Sequence, residues 1–567
     1  MYYDNEERLI QTRSTNHMGG YDHTFIIYNF VGQPTSKLHV HSATNQPSLR
    51  ELYTYTYDHA GRQLTVTHKL NNGTPVTLVN NEYDELGRLK KNKRNNQAAL
   101  ITTFDYNIRS WIQGINNPHF TQALSYYGNN IHTQQWTQSN KPRNYTFSYD
   151  PLSRLTAAAY SGDGSYGTSY TYDKHGNIQT LSRSGNTDTT TYGMIDNLTM
   201  TYSGNQLVKV EDTGITSPPS ISTDFRNGST AAIEYTYDTN GNLTKDLNKN
   251  ISLIKYNTLN LPSVITFADG VTVTYLYDAV GSKLSVAYNS GGTTAKTEYA
   301  GNKVYKNGTL SMLLTEGGYA TLSGTTPTYY YYLSDHQGNN RVVLSQSGTV
   351  EQVNNYYPFG GAFGEGVQNS NQPYKYNGKE LDRTFELNLY DYGARHYDAA
   401  IGRWGTMDPM AEKYYSISPY AYVANNPIRY IDPDGMWIDD YSVNEKEKRI
   451  TIIKQYEKTD RVFDKDNPKG LEIEKGSFDL AKYRSEGYDI ETVVPAGMAI
   501  TDLGLSIFGG EMAAVKIGSW IGKGVSAWKA SRAAKAVDAT VEVGANAAKG
   551  GGRVFWSGEG AMNTAMN

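Results

Sequence analysis

A short unit recurs along the first half of this chain and limits what it can fold into: an alternating Tyr/Thr run, then Tyr-Asp, two variable residues, Gly, a polar residue and an aliphatic one. It stands at Tyr57-Asp58-His59-Ala60-Gly61-Arg62 and Tyr83-Asp84-Glu85-Leu86-Gly87-Arg88, and again at Tyr172-Asp173, Tyr237-Asp238 and Tyr277-Asp278, each with glycine three residues after the aspartate. Tyr149-Asp150-Pro151-Leu152-Ser153-Arg154 has serine instead, and Tyr256-Asn257-Thr258-Leu259-Asn260-Leu261 is a degenerate copy. Asp58 and Asp84 are 26 residues apart, Asp150 and Asp173 only 23. Repeats of this size mean stacked supersecondary units, each unable to bury its apolar face alone.

The unit has the physics of a β-hairpin. Tyr53, Tyr55 and Tyr57 alternate with Thr54 and Thr56, which sets the rings on one face of a strand. Aspartate opens a type I turn by accepting a bond from the backbone two residues on, and the glycine takes the left-handed conformation that closes a bulged hairpin. A calcium role for these aspartates lacks the dense oxygen spacing of a calcium loop. Stacked hairpins covering one another's edges imply a mainly β fold wound as a spiral shell or solenoid. Tyrosine suits a dry core and a wet inner wall alike, so the repeat alone leaves open whether the winding encloses a cavity.

Composition agrees and excludes several classes. Among 567 residues there are 48 Tyr and 54 Gly but 14 Phe, and mean hydropathy is -0.60. A net charge of -4 without a long basic run gives no pull on nucleic acid, which is not an expected partner. With no cysteine, disulfides, thiolate nucleophiles and cysteine metal sites are ruled out. The 11 histidines lack paired ligand spacing, and Gly550-Gly551-Gly552 lacks the setting of a phosphate loop, so neither metal nor cofactor is expected. Met1 to Leu9 has no basic and apolar leader; it reads as the middle of a repeat rather than a signal peptide.

The expected organisation is a repeat shell over 1–328, a denser core over 329–436, a charged linker segment over 437–490, an Ala/Gly-rich helical region over 491–550, and over 551–567 the start of a further module. The apolar stretch from Val493 to Trp520 is interrupted by Asp502, Glu511 and Lys516, which favours a soluble helical hairpin over a membrane span.

Ordered motifs fill the core: Asp335-His336-Gln337-Gly338-Asn339, Tyr357-Pro358-Phe359-Gly360, Tyr376-Asn377-Gly378-Lys379-Glu380, Leu389 to Asp398 with its Ala394-Arg395-His396-Tyr397-Asp398, Gly402-Arg403-Trp404, Asp408-Pro409, Asn425-Asn426-Pro427 and Asp432-Pro433-Asp434-Gly435. Residues 329–435 resemble the RHS repeat-associated core domain, and the preceding repeats resemble the YD shell of that family and of teneurins. The resemblance covers about three quarters of the chain. It implies a bacterial polymorphic-toxin scaffold, secreted or held at the cell surface: a β-shell closed by the core, enclosing its own C-terminal effector and releasing it by aspartyl-type autoproteolysis. Motif by motif, it makes Arg395 and Asp408 catalytic and puts the cut at Met436-Trp437; Asp398, Asp432 and Asp434 are further carboxylates on which such chemistry can draw. Alanine stands at 411, where many members have glycine, and Asp432 follows Asp408 by 24 residues, two more than in members with a shorter gap. Both departures bear on the scissile bond.

Carboxylates suit this chemistry, since one must activate water while another donates a proton. Asp432-Pro433-Asp434-Gly435 is also an ordinary tight-turn sequence. Gly551 to Gly558 looks like the opening strand of a toxin module, and the nine residues after it are too few to fold a catalytic domain, so no effector activity is expected. Secretion machinery and an immunity protein are the partners the resemblance implies. The rival readings are a non-enzymatic scaffold whose tyrosines bind glycans or other cells, and an inactive remnant.

Overall fold

The computed structural model describes residues 1–436 except 189, 216–222, 325 and 365–371, and beyond them only five short strands between Ser442 and Thr492. Apart from residues 491 and 492, which end the strand Asp489–Thr492, the regions expected over 491–550 and 551–567 lie outside the described residues, as do residue 437 and the whole apolar stretch 493–520.

Two long antiparallel meanders carry the fold. Eighteen strands run from Tyr2–Tyr3 to Gln206–Asp212, each paired with the next in the chain, and thirteen more run from Tyr235–Tyr237 to Val350–Val353. The expected mainly β repeat shell is what forms. The second meander runs past residue 328 without a break: Thr326–Ser334, Asn340–Ser345 and Val350–Val353 extend the same sheet. The wall therefore continues into the core because hairpin chemistry persists there, as Asp335-His336-Gln337-Gly338 builds another turn of the same type.

Each Asp-x-x-Gly turn is built alike. In the copy at 58–62 the Gly61 amide donates to the Asp58 carbonyl at 3.1 Å, and Asp58 Oδ1 accepts from the amides of Ala60 and Arg62, both at 2.9 Å. Gly61 sits at φ +79°, the left-handed region where glycine carries no Cβ penalty, and the register shifts by a bulge between Thr56 and Tyr57. Arg62 Nε donates to Asp58 Oδ2 at 2.6 Å, and its guanidinium lies over Tyr83 of the following hairpin. The carboxylate is thus consumed by its own turn.

The tyrosine before the turn's aspartate or asparagine has a second task, which explains why it is not phenylalanine. Its hydroxyl reaches back one hairpin to a backbone carbonyl: Tyr57 to Pro34 at 2.8 Å, Tyr106 to Leu89 at 2.7 Å, Tyr149 to Ile131 at 2.7 Å and Tyr256 to Leu243 at 2.6 Å. Rings one step further in, such as Tyr53 and Tyr55, are buried on the inner face, while Thr56 and Thr65 bond across the outer one. Tyr106→Phe is expected to remove one tie and leave the Leu89 carbonyl short of a donor, costing about 1 kcal/mol. A lower urea midpoint at unchanged slope would report it.

The two meanders meet through a buried polar seam. His41 bridges Asp22 at 2.7 Å and the Tyr305 hydroxyl at 2.9 Å, while His68 Nδ1 meets the Tyr329 hydroxyl at 2.9 Å. Glu51, fully buried, pairs with the fully buried Lys303 and accepts from Asn302 at 2.9 Å; Lys303 also lies 2.8 Å from His39 Nδ1.

After Val353 the core packs around its own aromatic cluster. Tyr397 stacks on Tyr422 with centroids 4.1 Å apart, and Asn377 Oδ1 accepts from the hydroxyls of both Tyr392 and Tyr422. Its segment 407–430 covers one run of hairpin tips: Asn425 donates to the Gly176 carbonyl, Asn426 to that of Ser153, and Tyr420 to that of Gly241. These bonds hold the stretch that supplies the site below.

Candidate functional site

Arg395 leaves a tight turn, in which the Tyr392 amide donates to the Arg395 carbonyl, and enters the short strand His396–Asp398. Its side chain is buried, and the guanidinium lies over the Trp404 ring, 4.1 Å from the centroid. From there it ties four points of the core together. Nη2 donates to Asp432 Oδ2 at 2.9 Å and Asp408 Oδ2 at 3.2 Å, Nε to the Gly435 carbonyl at 2.6 Å, and Nη1 to the Pro419 carbonyl at 3.3 Å. One nitrogen bridges two carboxylates, rather than two nitrogens gripping one in the bidentate manner.

Asp408 is fixed by the 407–419 loop: its amide donates to the Pro419 carbonyl at 2.9 Å, and its Oδ1 accepts from the Met410 amide at 2.7 Å. Burial pushes its carboxyl up to about 6; the Asp432 charge adds to the rise, and Arg395 opposes it. Asp432 acts as an acceptor throughout, taking Arg395 on one oxygen and the amides of Gly435 at 2.7 Å and Met436 at 3.0 Å on the other. This is the tight turn read from Asp432-Pro433-Asp434-Gly435, and it delivers Met436, itself buried, beside Arg395. Gly435 is required by close approach: it has φ +83°, and a Cβ there would come within 3.0 Å of the Arg395 amide nitrogen.

A third carboxylate joins them. Asp434 Oδ1 accepts from the Met436 amide at 3.1 Å, and burial together with the Asp432 charge pushes its carboxyl up to about 7, against the pull of Lys379. Lys379 donates to the Pro433 carbonyl at 2.6 Å, and burial lowers its pKa. A cavity of about 50 Å³ reaches Arg395 and Trp404, room for a water.

Arg395, Asp408, Asp432 and Met436 therefore converge, whereas Asp398 does not join them. Its carboxylate pairs with Lys249 at 3.1 Å and accepts from the Ala400 amide, which makes it a link to the second meander. Residues three apart on an extended segment point to opposite sides, so the spacing that brings Arg395 inward turns Asp398 away. Lys379 and Trp404 were given no role from sequence, although both lie within the motifs quoted above.

No family model matches the chain. Among curated proteins it is 34% identical over 223 residues to salivary gland surface protein 1 of Aedes aegypti, a match covering 35% of this chain and 6% of that protein. It is 36% identical over 121 residues to toxin subunit YenC2 of Yersinia entomophaga, covering 20% and 12%, and 29% identical over 304 residues to the tRNA3(Ser)-specific nuclease WapA of Bacillus spizizenii, covering 51% and 12%. The chain thus spans about an eighth or less of these relatives. The crystal structure of TcdB2-TccC3 superposes with a TM-score of 0.55 at 18% identity, over 74% of this chain and 24% of that one. The chain has the β-shell fold of these toxin chains. The Tc holotoxin pore of Photorhabdus luminescens gives a TM-score of 0.56 at 18% identity, over 73% of this chain and 21% of that one.

Proposed function

We propose that this chain is part of a polymorphic-toxin scaffold, secreted or exposed at the cell surface, whose intrinsic chemistry is a single hydrolysis of its own backbone at Met436-Trp437. The cut would separate the β-shell from the C-terminal segment it encloses. The observation that carries this reading is the convergence of Arg395, Asp408 and Asp432 on the turn that ends at Met436.

The roles follow from the surroundings. Asp432, which accepts from Arg395 and from the amides of Gly435 and Met436, stands as the carboxylate that accepts a proton from water; Asp408, pushed up to about 6, is the carboxyl that donates. Arg395 keeps the two charges from repelling and holds the Gly435 carbonyl, so that the peptide next to the cut stays in register. The oxygen of one water bonds to the Met436 carbonyl carbon as the bond to the Trp437 nitrogen breaks. The Asp408 proton ends on that nitrogen, and the Asp432 proton returns to Asp408, ready for a reaction that a tethered bond undergoes once. Similarity to YenC2, WapA and the TcdB2-TccC3 chains supports the toxin-scaffold part of the reading.

Intact mass of the freshly purified chain tests it. The wild-type chain is expected to split into a piece ending at Met436 and a smaller C-terminal piece, and Arg395→Ala to remain whole. Two uncut chains would reduce the core to a structural plug.

A further inference from the structure

The turn that ends at Met436 is gripped by its carbonyls as well as by its amides. The three carbonyls between Asp432 and Met436 all accept from outside the turn: Pro433 from Lys379 Nζ at 2.6 Å, Asp434 from the Ala394 amide at 3.1 Å and Gly435 from Arg395 Nε at 2.6 Å. Lys379 alone comes from another part of the core. Its own carbonyl accepts from the Lys375 amide at 2.9 Å, which closes a turn through Tyr376–Gly378. That turn is pinned to the wall, since Asn377 donates its amide to Asn339 Oδ1 at 2.8 Å and its side chain to the Gln337 carbonyl at 3.2 Å. Gln337 in turn donates to the Pro427 carbonyl. One hairpin tip thus places both the lysine and the stretch that runs into Asp432.

Lys379 is buried and forms no direct ion pair among the described residues, an arrangement that costs stability. Its Nζ lies 5.1 Å from the centre of the Tyr392 ring. Burial lowers its pKa, and the charges of Asp434, Asp432 and Asp391 work against that. Asp391 already pairs with Lys283 at 2.6 Å and has His396 close by, so the ammonium is left to Asp432 and Asp434. These two and Asp408 make three carboxylates, and Arg395 is the other cation they face.

We propose that Lys379 is a positioning residue for cleavage: it clamps the Pro433 carbonyl and places a positive charge beside Asp432 and Asp434, so that the pair stays negatively charged while Asp408 keeps its proton. The inference rests on the hydrolysis proposed above. Burial and the Asp432 charge push Asp434 up to about 7, and Lys379 is the strongest influence against them. Without the ammonium the pair holds its proton more tightly, and Asp432 is less often free to take one from water. The loss grows as the pH falls.

Full-length chains made in a cell-free reaction at about pH 8, where cleavage is slow, and then diluted to values between about pH 4 and 7 give the rate by intact mass. Lys379→Met is expected to cut about 10- to 100-fold more slowly than the wild-type chain at about pH 5, and to move the optimum up by about half a unit or more. It should melt within a few degrees of wild type, because methionine leaves no charge to bury. Lys379→Arg restores the charge and should cut within about tenfold of wild type at an unchanged optimum. A methionine variant that cuts at the wild-type rate, or is slowed by the same factor at every pH, overturns the proposal. If that variant melts below the assay temperature, the arginine variant decides, and one that folds yet stays whole, or cuts with a shifted optimum, overturns it as well. A wild-type chain that stays whole at every pH removes the hydrolysis itself, whereas a normal Lys379→Met chain beside a cutting wild type removes only the role of the lysine.

Discussion

Asp408→Asn is expected to leave the chain whole in intact-mass measurements for hours after the wild-type chain has split, a slowing of about 10²- to 10⁴-fold from the loss of one positioned proton donor. The substitution keeps the shape of the side chain and its bond from the Met410 amide, so the fold and melting temperature should hold. The pH dependence gives the sharper reading. A carboxyl raised to about 6 is protonated below that pH and gives up its proton above it. If Asp408 donates, cleavage should be fastest near pH 5 and slow about tenfold for each unit above 6. A rate that climbs through pH 6 would exchange the roles of Asp408 and Asp432. A flat profile, or an asparagine variant that cuts normally, removes both from the chemistry.

Glu51→Ala should be the most damaging single change in the wall, because it strands the fully buried Lys303 and removes the acceptor of Asn302. Breaking one side of a buried pair costs about 3 to 5 kcal/mol, enough to lower the thermal transition by several degrees. Lys303→Met in the same chain should recover most of that loss, since a methionine leaves no charge behind. Acid should act on the same seam. Burial works against the Glu51 carboxylate, but Lys303 and the histidines hold its pKa well below the ordinary 4.5. The folded chain thus binds fewer protons here than the unfolded one, so this stability is present above pH 4.5 and lost as pH falls toward the lowered value. His39 works in the other sense. Burial pulls it down, yet Asp22 and Glu51 raise it above 6.5, and its contribution is complete below 6.5 and lost as pH rises through the folded value. The seam should therefore hold best between about pH 4.5 and 6.5, which a series of melting curves would reveal.

The parts legible in the sequence are those whose partners lie close by in the chain. Asp58, Gly61 and Arg62 satisfy one another within five residues, so turn, bulge and strand direction follow from their order alone. Arg395, Asp408 and Asp432 were found through the motifs that contain them, and the turn at Asp432 through its proline and glycine. The seam had no such signal. His41 meets Tyr305 and His68 meets Tyr329 more than two hundred residues away, and no periodicity connects them. Lys379 was invisible for a related reason: it reaches the Pro433 carbonyl across 54 residues. Asp398 stands apart from the cluster, paired with Lys249, because an odd spacing on an extended segment turns side chains to opposite sides.

The tyrosine ties have an evolutionary side. Each reaches only to the hairpin before it, so none of these ties counts the length of the wall; that falls to the seam, where His41 meets Tyr305 across 264 residues. A recombination event that adds or removes one whole hairpin leaves every other tie intact, whereas one that cuts mid-hairpin leaves a hydroxyl without its carbonyl. Unequal crossing-over between copies of the unit is therefore tolerated in whole steps.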